Sequence, residues 1–345
     1  MNIAPGSAVP FRHLAQLTDN VGIVRRARGI VPRREHGYRV DDVAAGLLVV
    51  SREPSPSAEL ITLGRRYLYF LAQAQTANGK FRGHLGDDRR WRGAPEARDA
   101  WGRSLWALGT AAAHGPTTRI REEARRRFDA SVVLGCPYPQ PMAFAALGAA
   151  EILTRWPGHS GALSLLTVAS SVIGEPSVDA AWPWPTPRLS YANGAIAEAV
   201  IAAGDRLGRE HLLRRGLDML GWLLAGETRN GHLSVVPAGG WGRGEDRPAF
   251  DQHPSEVAAL ADACARAAEV TGDSAWLTGV EMSVNWFLGA NDAMIPMLDE
   301  RTGGCSDTLS RDSRSRDQGA ESTLAMISVL QQGCRLRSRS GDTVH

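Results

Sequence analysis

The hydrophobic positions of this chain recur at the spacing of α-helices, and sustained alternation typical of strands is absent. Two kinds of helix alternate. The first kind is rich in Ala, Gly and Leu and apolar on nearly every side, as buried helices are. Its six members span residues 41–51, 98–113, 141–154, 191–207, 255–270 and 318–332. The second kind has a clear polar face and spans residues 58–75, 117–133, 160–172, 209–225 and 274–290.

This alternation defines a repeated unit of two helices. A unit of roughly 50 residues recurs along the chain, which is typical of helical arrays and closed rings. Six buried helices surrounded by amphipathic ones predict an all-α protein, an (α/α)6 toroid. The sixth outer helix has no clear candidate, although residues 14–30 could supply it. We predict one toroid domain over residues 1–334 and a disordered, Ser- and Arg-rich tail over residues 335–345.

A turn signature supports the repeat. Asn-Gly or Thr-Gly-Gly follows an outer helix in residues 75–81, 227–233 and 299–304. Asn-Gly favours positive φ and therefore a tight turn. Because the signature returns at the same place in the unit, it indicates repeats independently of composition.

The connections that lead into the buried helices are long, polar and aromatic, whereas most reverse connections are shorter. Every inner helix of a toroid begins at the same end of the ring, so these connections converge on one face. The free N–H groups and partial positive charge of the helix N-termini lie there as well. We therefore predict the functional site on that face.

The side chains on these connections are those that a sugar site requires, because aromatic rings stack on pyranose faces and polar groups bond hydroxyls. The candidate substrate-binding residues are Arg34, His36, Tyr38, Trp101, Arg103, Trp184, Tyr191, Asn193, Trp241, Gln252, His253 and Gln318. The candidate catalytic carboxyl groups are Asp42, Asp251 and Glu321, with Asp41, Asp99 and Glu256 in reserve. Trp106 is interpreted as a core residue.

Glycoside cleavage needs two carboxyl groups, one as acid and one as base or nucleophile. The acid must keep its proton near neutral pH, which burial or a second carboxylate achieves and a helix N-terminus opposes. A wide separation suits an inverting enzyme and a close pair suits a covalent route. Helix capping is the competing interpretation of Asp41, Asp251 and Glu321, because all three lie where a helix begins.

Composition narrows the possible functions. The 345 residues are 43% hydrophobic and 22% charged, with a formal net charge of +2, which provides no strong field to attract nucleic acid or an anionic membrane. No apolar run has the length of a membrane span or of a signal-peptide core. The four cysteines do not have zinc-ligand spacing. We expect a cytoplasmic protein with no metal or cofactor and no nucleic-acid or membrane partner.

Several motifs lie along nearly the whole chain. They are VPRREHGYRVDDVA at 31–44, HLGDDRRW at 84–91, WGRSLW at 101–106, LSYAN at 189–193, FDQHP at 250–254 and QGAEST at 318–323. Together they resemble a group of bacterial helical-toroid proteins in the six-hairpin glycosidase superfamily, often associated with or labelled as glycosyltransferases. The resemblance implies the (α/α)6 fold and a carbohydrate role, and it suggests a glycosyltransferase as a partner.

The leading hypothesis is a glycoside hydrolase that cleaves an oligosaccharide or polysaccharide with two carboxyl groups and inversion. One alternative is a non-catalytic glycan-binding module that serves a separate glycosyltransferase. Another is a polysaccharide lyase that uses Tyr38 or His36 as the base. A terpene-cyclase-like toroid, suggested by the Gln-x-x-Asn-Gly-x-Phe pattern, is disfavoured by the many polar side chains on the loops.

Overall fold

The computed structural model describes residues 9–341, without the side chains of residues 337–341. In this part of the chain the α-helices are α1 (Arg12–Leu17), α2 (Val40–Arg52), α3 (Ala58–Ala74), α4 (Asp99–His114), α5 (Thr118–Asp129), α6 (Pro139–Arg155), α7 (Ser160–Ile173), α8 (Asn193–Arg206), α9 (Glu210–Gly226), α10 (Pro254–Thr271), α11 (Leu277–Phe287) and α12 (Ala320–Gly341). Two short 3₁₀ helices, Arg34–His36 and Ser274–Trp276, lie in the connections. The six predicted buried helices are the even-numbered ones from α2 to α12.

The even-numbered helices form a closed inner ring. Each packs against the next, from α2 through α4, α6, α8 and α10 to α12, and α12 packs against α2. The helices α3, α5, α7, α9 and α11 each pack on the inner helix that precedes them. The predicted all-α (α/α)6 toroid is therefore confirmed. The sixth outer position is taken by the six-residue α1, which contacts α12.

Glycines allow neighbouring inner helices to approach closely. A Cβ on Gly109 of α4 would overlap the backbone carbonyl of Gly148 on α6, and a Cβ on Gly148 would overlap the carbonyl of Leu105. Gly194 of α8 meets the carbonyl of Ala259 on α10 in the same way. The Gly- and Ala-rich composition of the buried helices is thus what permits the tight ring.

We expect Gly148→Ala to lower the free energy of unfolding by about 1–3 kcal/mol, because the new methyl group overlaps backbone that cannot rotate away. Gly158→Ala is the matched control, since nothing lies within 4 Å of an added Cβ there. Its free energy of unfolding should stay within about 0.5 kcal/mol of wild type. Urea unfolding followed by circular dichroism measures both variants. Equal free energies for the two variants would contradict the close contact of α4 with α6.

Short strands join the connections at the ends of the ring. They are β1 (Ala27–Arg28), β2 (Val31–Pro32), β3 (Tyr38–Arg39), β4 (His84–Leu85), β5 (Trp91–Arg92), β6 (Arg188–Leu189), β7 (Thr228–Arg229), β8 (His232–Leu233), β9 (Trp241–Gly242), β10 (Leu298–Asp299), β11 (Gly304–Cys305), β12 (Leu309–Ser310) and β13 (Ser313–Arg314). β3, β4 and β5 form a three-stranded sheet, and β6 pairs with β9. The predicted Asn-Gly turn joins β7 to β8, where Asn230 and Gly231 have φ angles of 51° and 82°.

The C-terminal helix is longer than predicted. α12 continues to Gly341, so residues 335–341, assigned from composition to a disordered tail, are helical. Arg335 donates a hydrogen bond to the carbonyl of Arg52 at 3.3 Å, a tertiary contact that composition does not reveal. Residues 1–8 and residues 342–345 lie outside the described residues. Within the described part of the chain, no helix is both long enough and apolar enough to cross a membrane.

Candidate active site

A cavity of about 130 Å³ lies on the ring axis, at the N-terminal end of the inner helices. All six inner helices contribute to its lining. Three carboxyl groups meet at its mouth: Asp41 and Asp42 on the first turn of α2, and Glu321 on the first turn of α12. They come together because closure of the ring places α2 beside α12.

Asp42 is the enclosed member of this group. Its side chain belongs to a residue only 8% exposed, and its Oδ2 makes no hydrogen bond within the described part of the chain. Burial raises the pKa of Asp42 well above its ordinary range, and the charges of Asp41 and Glu321 raise it further. Arg25 and Arg39 oppose this effect without reversing it. The protonated form of Asp42 is therefore favoured relative to that of an ordinary, exposed carboxyl group.

The two other carboxyl groups lie nearer to solvent. Asp41 accepts a hydrogen bond from Nη2 of Arg39 at 2.9 Å, and its charge raises the pKa of the Arg39 guanidinium. Glu321 is exposed on the neighbouring helix, α12. The site thus combines an enclosed carboxyl group of raised pKa with an ion-paired one and an exposed one.

An aromatic and cationic wall continues the cavity below the carboxyl groups. The rings of Trp106 on α4 and Phe144 on α6 stack with centroids 5.9 Å apart. The guanidinium of Arg103 lies 4.2 Å from the centroid of Phe144, which is the geometry of a cation–π contact. All three residues line the cavity. The wall therefore offers an aromatic surface beside a hydrogen-bond donor.

Tyr191 and Asp99 form a polar pair close to the mouth. The hydroxyl of Tyr191 donates to Oδ2 of Asp99 at 2.6 Å. Burial, the hydrogen bond to Asp99 and the charges of Asp99 and Asp41 raise the pKa of Tyr191. The charge of Arg103 opposes this rise. Neither Tyr191 nor Asp99, both predicted from the sequence, is among the residues that line the cavity.

Glu256 is not among the residues that line the cavity, and its carboxyl group is used in hydrogen bonds within the protein. Its carboxylate accepts hydrogen bonds from the backbone N–H groups of Ala192 and Asn193, at the start of α8, and from Nδ2 of Asn193 at 2.9 Å. Ala192 has a φ of 49°, an uncommon conformation for a residue other than glycine. Burial raises the pKa of Glu256 to about 7. Glu256 and Asn193 therefore hold α8 and α10 together at their N-terminal ends.

The connection that precedes α10 lies away from the cavity lining. Asp251 is exposed, and His253 is half-buried at the N-cap position of α10 without a capping hydrogen bond from its side chain. Gln252 is buried, donates to Asp292 at 2.6 Å and accepts from Nε1 of Trp286 at 3.0 Å. Gln252 thus fixes this connection through hydrogen bonds within the protein. Gln318 does the same in the sixth connection through Thr302 and Asp299.

Most of the aromatic side chains that were predicted to stack on a sugar are packed against other residues of the protein. Trp101 and Trp184 are fully buried, and Nε1 of Trp101 donates to the carbonyl of Ser131. Trp241 stacks on Trp222 with centroids 6.1 Å apart. Tyr38 is also buried, and its hydroxyl donates to Asp19 at 2.7 Å.

The 3₁₀ helix Arg34–His36 lies beside this region. Arg34 forms an ion pair with Asp19 at 3.4 Å, and the backbone carbonyl of His36 is 3.2 Å from Nε2 of His84. Neither Arg34 nor His36 is among the residues that line the axial cavity.

Of the predicted site residues, Asp41, Asp42, Arg103 and Glu321 line the cavity; its lining also includes Arg25, Arg39, Trp106 and Phe144, which were not selected from the sequence. A signal existed for Trp106, because it lies three residues after Arg103 and therefore on the same face of α4. Arg39 is adjacent to the Asp41–Asp42 pair. Arg25 lies in an irregular connection before β1 and offers no such signal.

No protein-family model and no curated protein matches this sequence. Solved structures do match along nearly the whole chain. They include a sugar epimerase from a ruminal bacterium (12% identity, TM-score 0.66, covering 93% of this chain and 95% of that chain) and the cellobiose 2-epimerase of Bacillus thermoamylovorans (11%, 0.70, 94% and 95%). A GH76 α-mannanase from Bacteroides thetaiotaomicron also matches (12%, 0.63, 88% and 88%). What these proteins share with this chain is the fold.

Proposed function

We propose that this protein is a carbohydrate-active enzyme that hydrolyses glycosidic bonds. The observation that carries the proposal is the enclosed Asp42, whose raised pKa favours the protonated form beside two further carboxyl groups. A glycosidase needs this combination of one carboxyl group that donates a proton and another that accepts one. An α-mannanase and a cellulase are among the proteins of similar fold.

In the proposed reaction Asp42 donates its proton to the glycosidic oxygen as the bond from that oxygen to the anomeric carbon breaks. Glu321 removes a proton from a water molecule whose oxygen bonds to the anomeric carbon. The exposure of Glu321 to solvent and its place on a different helix from Asp42 favour this role and an inverting outcome. Protons exchanged with solvent then restore Asp42 and Glu321 to their starting states.

The other mouth residues bind and orient the sugar in this proposal. Arg103 offers hydrogen bonds to hydroxyl groups, and Arg39 holds Asp41 in place. Trp106 and Phe144 supply an aromatic surface of the kind on which pyranose rings stack. The substrate class is an oligosaccharide, a polysaccharide or another glycoside.

The pH dependence tests the role of Asp41. Because Asp42 must be protonated, the rate should fall as the pH rises through its pKa. Asp41→Asn removes a negative neighbour that raises the pKa of Asp42, so the alkaline limb of the kcat/KM profile should move to lower pH. Asp88→Asn, at an exposed turn outside the cavity, is the control and should leave the limb in place. An unchanged limb in Asp41→Asn would contradict the assignment.

A sugar epimerase is the second candidate, because epimerases and a D-mannose isomerase are among the similar structures. Epimerisation next to a carbonyl requires a base that removes a proton from carbon. Among the described residues that line the cavity, the titratable groups are carboxyl groups and guanidiniums, and none is an imidazole. This donor set suits hydrolysis better.

The site also bears on two alternatives from the sequence, a polysaccharide lyase and a non-catalytic glycan-binding module. A lyase based on Tyr38 is disfavoured, because burial and the Asp19 hydrogen bond raise the pKa of Tyr38 to about 12. A glycan-binding module that serves a glycosyltransferase would use the same cavity without turnover.

Isotope labelling separates these functions. The protein is incubated with a panel of oligosaccharides and alkyl or aryl glycosides in ¹⁸O-labelled water, and the products are analysed by mass spectrometry. Hydrolysis puts one labelled oxygen on each new reducing end, and NMR gives the anomer formed first. A parallel incubation in deuterated water would show an epimerase as carbon-bound deuterium in an uncleaved sugar. Saturable binding without either product would leave only the binding module.

A further inference from the structure

The cavity changes character below its mouth. The cavity residues that lie three to seven positions beyond the mouth residues continue the same faces of the inner helices. Nearly all of them are apolar. This apolar belt consists of Ala44, Ala45, Leu48, Val49, Ala195, Ala258, Ala259, Leu324 and Ala325. Four inner helices supply it, and six of its nine members are alanine, so space remains on the axis.

The depth of the belt follows from helix geometry. Val49 lies seven residues beyond Asp42 on α2, and Ser328 lies seven residues beyond Glu321 on α12. Asp262 lies seven residues beyond Ser255 on α10, and all of these residues line the cavity. At 1.5 Å per residue the well below the carboxyl groups is about 10 Å deep.

A polar network forms the floor of the well. Nη1 of Arg52 donates to Asp262 at 2.9 Å and to Ser328 at 2.9 Å. Nε2 of Gln332 donates to the same carboxylate at 2.5 Å. These groups satisfy one another, so the floor closes the well without requiring a polar ligand.

A sugar would fit this well poorly, because its hydroxyl groups would be buried against Ala, Leu and Val side chains without hydrogen-bond partners. An apolar group would fit it, because burial of apolar surface is favourable and the belt is preformed. We propose that the substrate is a glycoside with an apolar aglycone, an alkyl or similar hydrocarbon group, which fills the apolar belt while the sugar lies at the mouth. This inference rests on the proposed hydrolase function for the position of the bond to be cleaved.

The test is a series of methyl, butyl, hexyl and octyl glucopyranosides and mannopyranosides, measured by calorimetry below their micelle concentrations. We expect the affinity to rise about threefold to fourfold for each added methylene until the well is filled. A Kd that is the same for methyl and octyl glycosides would overturn the inference.

A substitution in the apolar belt tests whether the gain in affinity with alkyl chain length arises in the well. Ala325→Leu fills the belt on α12, so the gain from methyl to octyl should be lost while the affinity for the methyl glycoside is kept. Ala58→Leu, on the exposed first residue of α3, is the control and should keep the gain. If Ala325→Leu does not fold, Ala45→Val on α2 narrows the same well and has the same expected result. A gain that persists in the folded belt variant would overturn the assignment.

Failure of the two proposals can be distinguished. If affinity rises with chain length but no alcohol is released, the apolar well is supported and hydrolysis is contradicted. If oligosaccharides are hydrolysed but chain length has no effect, the hydrolase is supported and the apolar aglycone is contradicted.

Discussion

Asp42→Asn is expected to reduce hydrolysis by about 10²- to 10⁴-fold, the usual contribution of a general acid. Asparagine has nearly the same shape and cannot donate the proton. The loss should be much smaller for a nitrophenyl glycoside, because a leaving group that is already stable as an anion does not need protonation. Initial rates on a substrate found by ¹⁸O labelling, and on its nitrophenyl counterpart, measure both effects.

Asp251→Asn is the informative comparison, because the sequence favours Asp251 as a catalytic residue while the structure places it exposed and outside the cavity lining. It should keep wild-type activity. If Asp251→Asn were inactive and Asp42→Asn active, the acid would have to be sought in the connection before α10. Thermal unfolding of both variants excludes misfolding as the cause of a loss.

Glu321→Gln is expected to lower the rate by a similar factor, about 10²- to 10⁴-fold, through loss of the general base. Unlike Asp42→Asn, it should slow the nitrophenyl glycoside as strongly as the natural substrate, because water attack is required for both. The contrast between the two substrates therefore assigns the two roles.

The identity of the second carboxyl group and the first anomer released test the inverting mechanism. If Asp41→Asn, and not Glu321→Gln, produced the equal loss on both substrates, the second carboxyl group would be Asp41. Asp41 is adjacent to Asp42 on the same turn, so a covalent route with retention would then be expected. NMR observation of the first anomer released decides between the two outcomes.

The inner ring was predictable from sequence because its helices use small residues on every side. Gly109 and Gly148 mark positions where two backbones touch, and such positions tolerate little else. The closing helix α1 was not predictable, because six residues are too few to show a helical period. The extension of α12 depends on contacts such as that of Arg335 with the carbonyl of Arg52, which sequence does not display.

The three carboxyl groups at the mouth were predictable, whereas the contacts of many other predicted residues were not. Asp41, Asp42 and Glu321 were selected as helix-start carboxyl groups, and all three line the cavity. For Gln252 and Gln318, polarity in a connection suggested a ligand contact, but hydrogen bonds to Trp286 and Thr302 use these amides within the protein. Nothing in a single sequence indicates whether a loop side chain faces inward or outward.

The contact of α12 with α2 has a consequence for synthesis of the protein. Asp42 lies on the first helix of the inner ring and Glu321 on the last, and only closure of the ring brings them together. A growing polypeptide on the ribosome would carry the first of these carboxyl groups long before the second is translated. The enclosed environment of Asp42 therefore cannot form until α12 has emerged, and a chain released early would lack the complete site.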